Sequence, residues 1–141
     1  MQVHEEAAIY AKYAPQIKGN ISIVLNARKG LSANVLYDII LLTGFKKEQI
    51  ATLFNTSAKT ITRYTQDGKN LDIVSSEHAL KLIALFKKGT EIFGELEAFR
   101  RWIMKPAYGL GWEVPAELME TSGGIELIME ELYRIEFGAT A

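Results

Sequence analysis

Residues 47–66 read KEQIATLFNTSAKTITRYTQ, and the rest of the chain is organised around this stretch. Ile50, Ala51 and Phe54 recur at the spacing of one helix face, and the small side chain of Ala51 allows a second helix to cross closely. Asn55 follows, and asparagine tolerates the left-handed backbone conformation that ends a helix abruptly. The pattern predicts a first short helix that stops at Asn55.

A second helix is predicted directly after that stop, over residues 57–66. Ser57 offers an N-cap hydroxyl, and Ile61 and Tyr64 carry the apolar stripe. Two short helices joined by a tight turn are the pattern of a helix-turn-helix, whose second helix enters the major groove of DNA. The apolar spacing alone fits a corner between two helices of an ordinary helical domain equally well.

The polar residues of the second helix favour DNA binding over that alternative. If Ala58, Ile61 and Tyr64 face inward, the remaining side chains face outward. Such side chains can donate to phosphates and to the edges of guanine or adenine, and a threonine methyl group can contact thymine. The predicted DNA-binding residues are Lys59, Thr60, Thr62, Arg63 and Gln66.

Charge divides the 141-residue chain, whose overall net charge is −1. Residues 1–27 carry no net charge, residues 28–69 carry +4, and residues 70–141 carry −5. A basic segment that coincides with the helix-turn-helix pattern is what contact with phosphates requires. The sequence therefore predicts an accessory N-terminal segment, a DNA-binding domain and a helical domain with a different task, in that order and with those boundaries.

Helical periodicity predicts an all-α fold for the whole chain. Helices are predicted from His4 to Tyr13, over residues 32–43 with Ser32 as N-cap, over 47–54, 57–66 and 97–104, from Ser75 or Ser76 to Phe93, over 116–119, and from Thr121 to Gly138. Residues 21–25 fit either a strand or a helix. The chain has no cysteine, no signal-peptide core and no apolar run approaching the roughly 18–20 residues that cross a bilayer, so a cytoplasmic protein is expected.

Catalytic, cofactor and metal sites are not predicted. His4 and His78 are far apart in sequence and lack carboxylates at ligand spacing, so both are interpreted as ordinary histidines. Glu130 and Glu131 project about 100° apart on one helix, which indicates a solvated face rather than an acid/base pair. The glycines of residues 109–111 lack the preceding strand of a nucleotide-binding loop. An enzyme is therefore not expected.

The loop over residues 106–115, PAYGLGWEVP, is the second feature that points to a function. Long loops in small domains are usually functional or disordered. Tyr108 and Trp112 are residue types that anchor protein interfaces, because they bury a large rigid area and keep a polar group. The alternative, that Trp112 only fills the local core, is equally compatible with the sequence.

Several short motifs, taken in order, resemble one family. They are GL at 30–31, KTITRY at 59–64, SSEHALKLIALFKKGTEIFG at 75–94, W at 102, P at 106, LG at 110–111, P at 115, ELMETSGG at 117–124 and ELYRIEFGATA at 131–141. This order resembles the Xre antitoxins of RES–Xre toxin–antitoxin modules, the group also labelled MbcA/ParS/Xre. The chain departs from the pattern at Ala107, where an asparagine is usual.

The resemblance implies a bifunctional, non-enzymatic antitoxin with an Xre-like helix-turn-helix domain and a small helical toxin-binding domain. The first would bind the module's own promoter as an autorepressor, and the second would block the active site of an NAD-consuming RES-domain toxin. The implied toxin-binding residues are Pro106, Leu110, Gly111 and Pro115, which would shape the domain, and Arg134, Glu136 and Gly138, which would approach the toxin's active site; Tyr108 and Trp112 join them as the interface candidates of the loop.

A homodimer is expected because one helix-turn-helix contacts a single half-site of a symmetric operator. An acidic C-terminal part would also complement a basic pocket that normally binds a phosphorylated cofactor. The alternative function is a stand-alone transcription regulator whose C-terminal half serves for dimerisation or effector sensing.

Overall fold

The chain is all-α, as predicted, in a computed structural model that describes residues 2–138 and the side chains from residue 5 onward. Its α-helices, numbered in chain order, are α1 Gln2–Tyr13, α2 Asn20–Lys29, α3 Val35–Thr43, α4 Lys47–Leu53, α5 Ala58–Gln66, α6 Ile73–Phe93, α7 Leu96–Ile103 and α8 Ser122–Glu136. Short 3-10 helices cover Ala14–Gln16, Tyr108–Leu110 and Pro115–Leu118. Residues 21–25, which fitted either a strand or a helix, lie in α2.

The chain divides into two compact units, with the boundary after Ile83 inside α6. Unit 1 contains α1 to α5 and the first part of α6, and unit 2 contains the remainder of α6, α7, the loop over residues 106–115 and α8. This division follows the packing. The division into accessory, DNA-binding and toxin-binding segments concerns function and stays a prediction.

In unit 1, α1 packs against α3. Ile9 and Tyr13 are buried, and Tyr13 Oη donates a hydrogen bond of 2.5 Å to Asp38 Oδ2 on α3. Lys12 Nζ lies 3.2 Å from the same carboxylate oxygen. Burial, followed by the hydrogen bond to Asp38, raises the pKa of the Tyr13 phenol above its ordinary value. The N-terminal helix therefore contributes buried side chains to the core of unit 1.

The predicted N-cap at Ser32 is wrong, because α3 begins only at Val35. Ser32 instead forms an isolated antiparallel bridge with Asn70. The backbone N–H of Leu71 donates to the carbonyl of Leu31 at 2.7 Å, which holds the segment before α3 in an extended conformation. A pairing between segments so far apart in sequence is invisible to local helix signals, and this explains the error.

The sequence also put the start of α6 too late, at Ser75 or Ser76, whereas the helix starts at Ile73. Asp72 Oδ1 accepts a hydrogen bond of 2.7 Å from the backbone N–H of Ser75, in the manner of an N-cap. Ser76 is fully buried, and its Oγ accepts a hydrogen bond of 3.0 Å from the backbone N–H of Leu31. Asp72 therefore caps the helix, and Ser76 ties it to the extended segment.

The core of unit 2 forms around Phe99. Its ring meets Phe86 edge to face at a centroid distance of 5.0 Å, and Trp102 stacks on it at 6.0 Å. Gly89 allows this packing, because a Cβ at that position would lie 2.4 Å from the ring carbons of Phe99. From α8, Ile125, Ile128 and Leu132 are buried at the predicted helical spacing.

Helix α8 follows the 3-10 helix Pro115–Leu118 after a turn of three residues. Thr121 caps it as predicted, since its Oγ1 accepts a hydrogen bond of 3.0 Å from the backbone N–H of Gly124. Gly124 is buried, and a Cβ built on it would lie 1.7 Å from the carbonyl oxygen of Leu118. The close approach of two backbones therefore requires glycine at this position.

Gly124→Ala should lower the free energy of unfolding by about 1–3 kcal/mol, because the added methyl group would overlap backbone that cannot rotate away. The measurement is urea denaturation followed by circular dichroism. Gly123→Ala is the matched control: it lies in the same first turn and has no heavy atom within 4 Å of an added Cβ. The control should be neutral or stabilising, by up to about 1 kcal/mol. Equal losses of unfolding free energy in both variants would show that the close approach of Gly124 to Leu118 is not the cause.

Candidate functional site

The α4–α5 pair has the packing that the sequence predicts. Ile50, Ala51 and Ile61 are buried between the helices. Asn55 adopts the left-handed conformation, with φ of +54°, and so confirms its predicted role as the helix stop. Ser57 is the N-cap of α5, because its Oγ accepts a hydrogen bond of 3.1 Å from the backbone N–H of Thr60.

The predicted DNA-binding residues of α5 fall into two groups. Lys59, Arg63 and Gln66 are exposed, whereas Thr60 and Thr62 are half-buried. The Thr60 hydroxyl accepts a hydrogen bond of 2.9 Å from Ser57 Oγ. The Thr62 hydroxyl donates a hydrogen bond of 3.2 Å to the carbonyl oxygen of Ala58, and it accepts a hydrogen bond from Lys47 Nζ. The structure therefore leaves the long side chains available and gives both threonine hydroxyls partners within unit 1.

Basic side chains around α5 lie over aromatic rings. Lys47 Nζ is 5.1 Å from the ring centroid of Tyr37, and Lys69 Nζ is 5.1 Å from that of Tyr64. Arg63 Cζ also lies 5.6 Å from the Tyr64 centroid. Hydrogen bonding from Lys47, with a smaller effect of the Thr65 hydroxyl, lowers the pKa of the Tyr37 phenol. These contacts hold cations in place without neutralising them.

Sequence reasoning did not identify Tyr37, Lys47 and Lys69 as members of this cluster. The helical pattern assigns no role to Lys47, and it places Tyr37 on an outward position of α3. Their proximity to α5 depends on how α3, α4 and α5 pack. The only available signal was the concentration of basic residues over 28–69.

The loop over residues 106–115 exposes its two large aromatic side chains. Tyr108 is 58% exposed and Trp112 is 64% exposed, and their rings meet edge to face at 5.5 Å. The interpretation that Trp112 fills the local core is therefore wrong. Ala107 is buried instead, and its backbone accepts from the N–H of Trp112 and donates to the carbonyl of Glu113, both at 3.0 Å.

The other predicted toxin-binding positions differ in accessibility. Pro106, Gly111, Arg134, Glu136 and Gly138 are exposed, Leu110 is half-buried and Pro115 is buried. Pro115 can therefore support the loop but cannot contact a partner. Glu136 accepts a hydrogen bond of 2.9 Å from Lys88 Nζ, and this bond raises the pKa of Lys88.

Glu131 contradicts the predicted solvated face. Glu130 is exposed as predicted, but Glu131 is fully buried because it continues the inward stripe of α8 that includes Ile128. Its Oε1 accepts a hydrogen bond of 2.8 Å from Arg134 Nε, and Arg134 Nη2 donates to the carbonyl oxygen of Gly109 at 3.3 Å. Glu131 and Arg134 thus connect α8 with the loop.

Metal ligands do not cluster in the part of the chain that the structure describes: no group of three or more acidic or histidine side chains is placed to hold an ion. His78 is buried with its ring 4.9 Å from that of Phe54. The side chain of His4 lies outside the described residues. None of the described helices is both long and apolar enough to cross a membrane.

Comparison with known proteins gives two matches. The family model described as the antitoxin Xre/MbcA/ParS C-terminal toxin-binding domain matches residues 88–138, which include the loop and α8. The chain is also 25% identical over 126 residues to a protein named Antitoxin Xre from Yersinia enterocolitica serotype O:8 / biotype 1B (strain NCTC 13174 / 8081), and the alignment covers 88% of this chain and 84% of that relative. The family resemblance drawn from the sequence is confirmed. Residues 88–138 thus match the toxin-binding domain of the Xre/MbcA/ParS antitoxins, and most of the chain is similar to an Xre antitoxin.

Proposed function

We propose that this antitoxin works through two surfaces in the cytoplasm. Unit 2 binds a RES-domain toxin and blocks its NAD-consuming active site, and unit 1 binds the module's own promoter DNA as a homodimeric autorepressor. The match of the toxin-binding family domain supports the first activity. The second activity is supported by a difference in ion pairing between the basic side chains around α4 and α5 and those of unit 2.

The basic side chains at or next to α4 and α5 differ from those of unit 2 in whether they form ion pairs. Among the described residues, none of the basic side chains at or next to α4 and α5 forms an ion pair; these are Lys46, Lys47, Lys59, Arg63 and Lys69. In unit 2 most basic side chains have a carboxylate partner: Lys87 with Glu91, Lys88 with Glu136, Arg100 with Glu97, Arg101 with Glu95 and Arg134 with Glu131. Because a paired cation must lose its partner before it neutralises a phosphate, the α4–α5 region is the better surface for DNA.

The geometry favours different roles for the cations of this surface. Arg63 and Gln66 are exposed on α5, and their planar polar groups suit hydrogen bonding to base edges. Lys47 is half-buried between Tyr37 and Thr62, so its ammonium group is a fixed point charge suited to a phosphate. This assignment makes Thr62 a support for Lys47 rather than a base contact.

Arg63→Ala should weaken binding to the promoter operator by about 1–3 kcal/mol and relax its sequence preference, if the guanidinium contacts a base. Lys47→Gln should weaken binding to the operator and to scrambled DNA equally. It should also reduce the slope of log K against log salt concentration by about one. Fluorescence anisotropy of labelled duplexes over a salt series measures both effects. Lys87→Gln, a paired lysine of unit 2, is the control and should behave as wild type. Equal loss on both duplexes for Arg63→Ala would contradict base contact.

Helix α2 supports the homodimer. Its inner residues Ile23 and Ala27 are buried, yet Ile21, Val24 and Leu25 are exposed on the other side. Exposed apolar side chains that lie together on a surface often mark a site of contact with another protein. The protein that covers this face of α2 is a second copy of the chain. A two-fold symmetric operator requires two copies, because two recognition helices must be held one helical turn apart.

Leu25→Glu should convert the dimer into a monomer and abolish tight operator binding, because a charge would have to be buried in an apolar interface. Size-exclusion chromatography with light scattering gives the mass directly. Ala7→Glu, an exposed substitution on α1, is the control and should leave the mass unchanged. A dimeric Leu25→Glu protein would show that copies associate through another surface.

For toxin binding, the exposed aromatic pair of the loop provides the anchor. Trp112→Ala should weaken binding to a RES-domain toxin encoded by a neighbouring gene by about 2 kcal/mol or more, as expected for a central interface aromatic. Cells that express the toxin with this variant should lose NAD, whereas operator binding should be retained. Met104→Ala removes a comparably exposed apolar side chain and serves as the control. If the wild-type protein and the toxin never associate, the stand-alone regulator becomes the better interpretation.

A further inference from the structure

We propose that Glu131 and Arg134 act as an internal clamp that fixes the loop over residues 106–115 and so presents Tyr108 and Trp112 to a protein partner. In this proposal Arg134 is a positioning residue for the aromatic pair rather than a contact with the toxin. The identity of the partner rests on the proposed function; the clamp itself rests only on the contacts within unit 2.

The buried carboxylate is the first observation. Glu131 is 0% exposed, and a carboxylate in that position is unfavourable unless it is paired and hydrogen-bonded. Arg134 is its ion-pair partner at 2.8 Å, and within the described chain Glu131 Oε2 has no hydrogen-bond partner at all. Removal of the guanidinium would therefore leave a buried charge without compensation.

The guanidinium reaches two elements at once. Nε donates to Glu131 on the same helix, and Nη2 donates to the carbonyl oxygen of Gly109 in the loop. These two nitrogens lie on one edge of the planar guanidinium group, whose fixed fork can serve two neighbouring acceptors. Lysine offers a single point charge and cannot reproduce this arrangement.

Gly109 shows how closely the loop lies on the carboxylate. A Cβ at this position would be 2.0 Å from Glu131 Oε1 and 2.3 Å from its Cδ. The backbone of the loop therefore rests directly on the Glu131 side chain. Because both side-chain oxygens are buried under it, the loop cannot shift without exposing or unpairing the carboxylate.

The loop needs such a constraint because of its own backbone. Gly111 and Trp112 both have φ of +65°, and for tryptophan this left-handed conformation is strained. Strained conformations persist only where the surrounding structure holds them. The clamp holds the loop beside these residues, so that the exposed ring pair with Tyr108 is ordered before a partner arrives. Preordered anchors lose less entropy on binding than mobile ones.

The clamp can be tested in the free protein through Trp112 fluorescence. Trp102→Phe leaves Trp112 as the sole tryptophan of the chain and keeps an aromatic ring in the core. In this background, Arg134→Ala should lower the fluorescence anisotropy of Trp112 and increase its quenching by acrylamide. Arg101→Ala, which removes an exposed arginine with a longer 3.8 Å ion pair, should leave both signals unchanged. Arg134→Lys should loosen the loop while retaining the charge, and it provides the test if Arg134→Ala does not fold.

Affinity for the purified RES-domain toxin is the second measurement. Arg134→Ala and Arg134→Lys should each lose about tenfold, the order expected when two interface side chains must be ordered on binding. A variant that binds more weakly while Trp112 keeps its wild-type anisotropy would overturn the proposal, because Arg134 would then contact the toxin directly. Unchanged anisotropy together with unchanged affinity would also overturn it. If the wild-type protein does not bind the toxin, the proposed function fails, and the fluorescence of the free protein still decides whether the clamp exists.

Discussion

Unit 1 depends on the antiparallel pairing that joins the segment before α3 to the segment after α5. Leu31 accepts from the backbone N–H of Leu71, and Ala33 donates to the carbonyl of Lys69. The Ser76 hydroxyl then accepts from the N–H of Leu31 inside the core. This pairing closes α3, α4 and α5 into one group and fixes where α6 begins. The positions of the cations around α5 depend on that closure, because Lys47 lies on α4, Arg63 on α5 and Lys69 in the segment after α5.

Unit 2 depends instead on close backbone approaches at glycine. The backbone of α8 at Gly124 lies against Leu118, the ring of Phe99 fills the space beside Gly89, and the loop rests on Glu131 at Gly109. At all three positions a methyl group would overlap a neighbouring atom. Close packing transmits a local change to the whole unit, because interiors at crystal-like density have little room to relax. The aromatic loop is therefore supported by the core rather than attached to it loosely.

The features that the sequence predicted correctly are those governed by local chemistry. Asn55, Ser57 and Thr121 mark helix ends in the sequence itself, because each acts on backbone within a few residues of its own position. The errors at Ser32 and Glu131 have the opposite origin. Ser32 pairs with a distant segment, and Glu131 is buried by a loop that precedes it by some twenty residues, so neither environment is visible in the local pattern. The spacing from Ile128 and the arginine three residues later were the only hints for Glu131.

The two units use charge in opposite ways, and this difference fits two different kinds of partner. In unit 1, Lys47, Arg63 and Lys69 lie over Tyr37 or Tyr64, which orient these cations and leave their charge available for a polyanion. Cations in unit 2 mostly pair with carboxylates, and the surface then offers exposed rings at Tyr108 and Trp112. Aromatic anchors bind protein with little dependence on salt, whereas unpaired cations bind DNA with strong dependence on it. If the proposed function holds, a change in ionic strength should therefore act mainly on DNA binding by unit 1 and much less on toxin binding by unit 2.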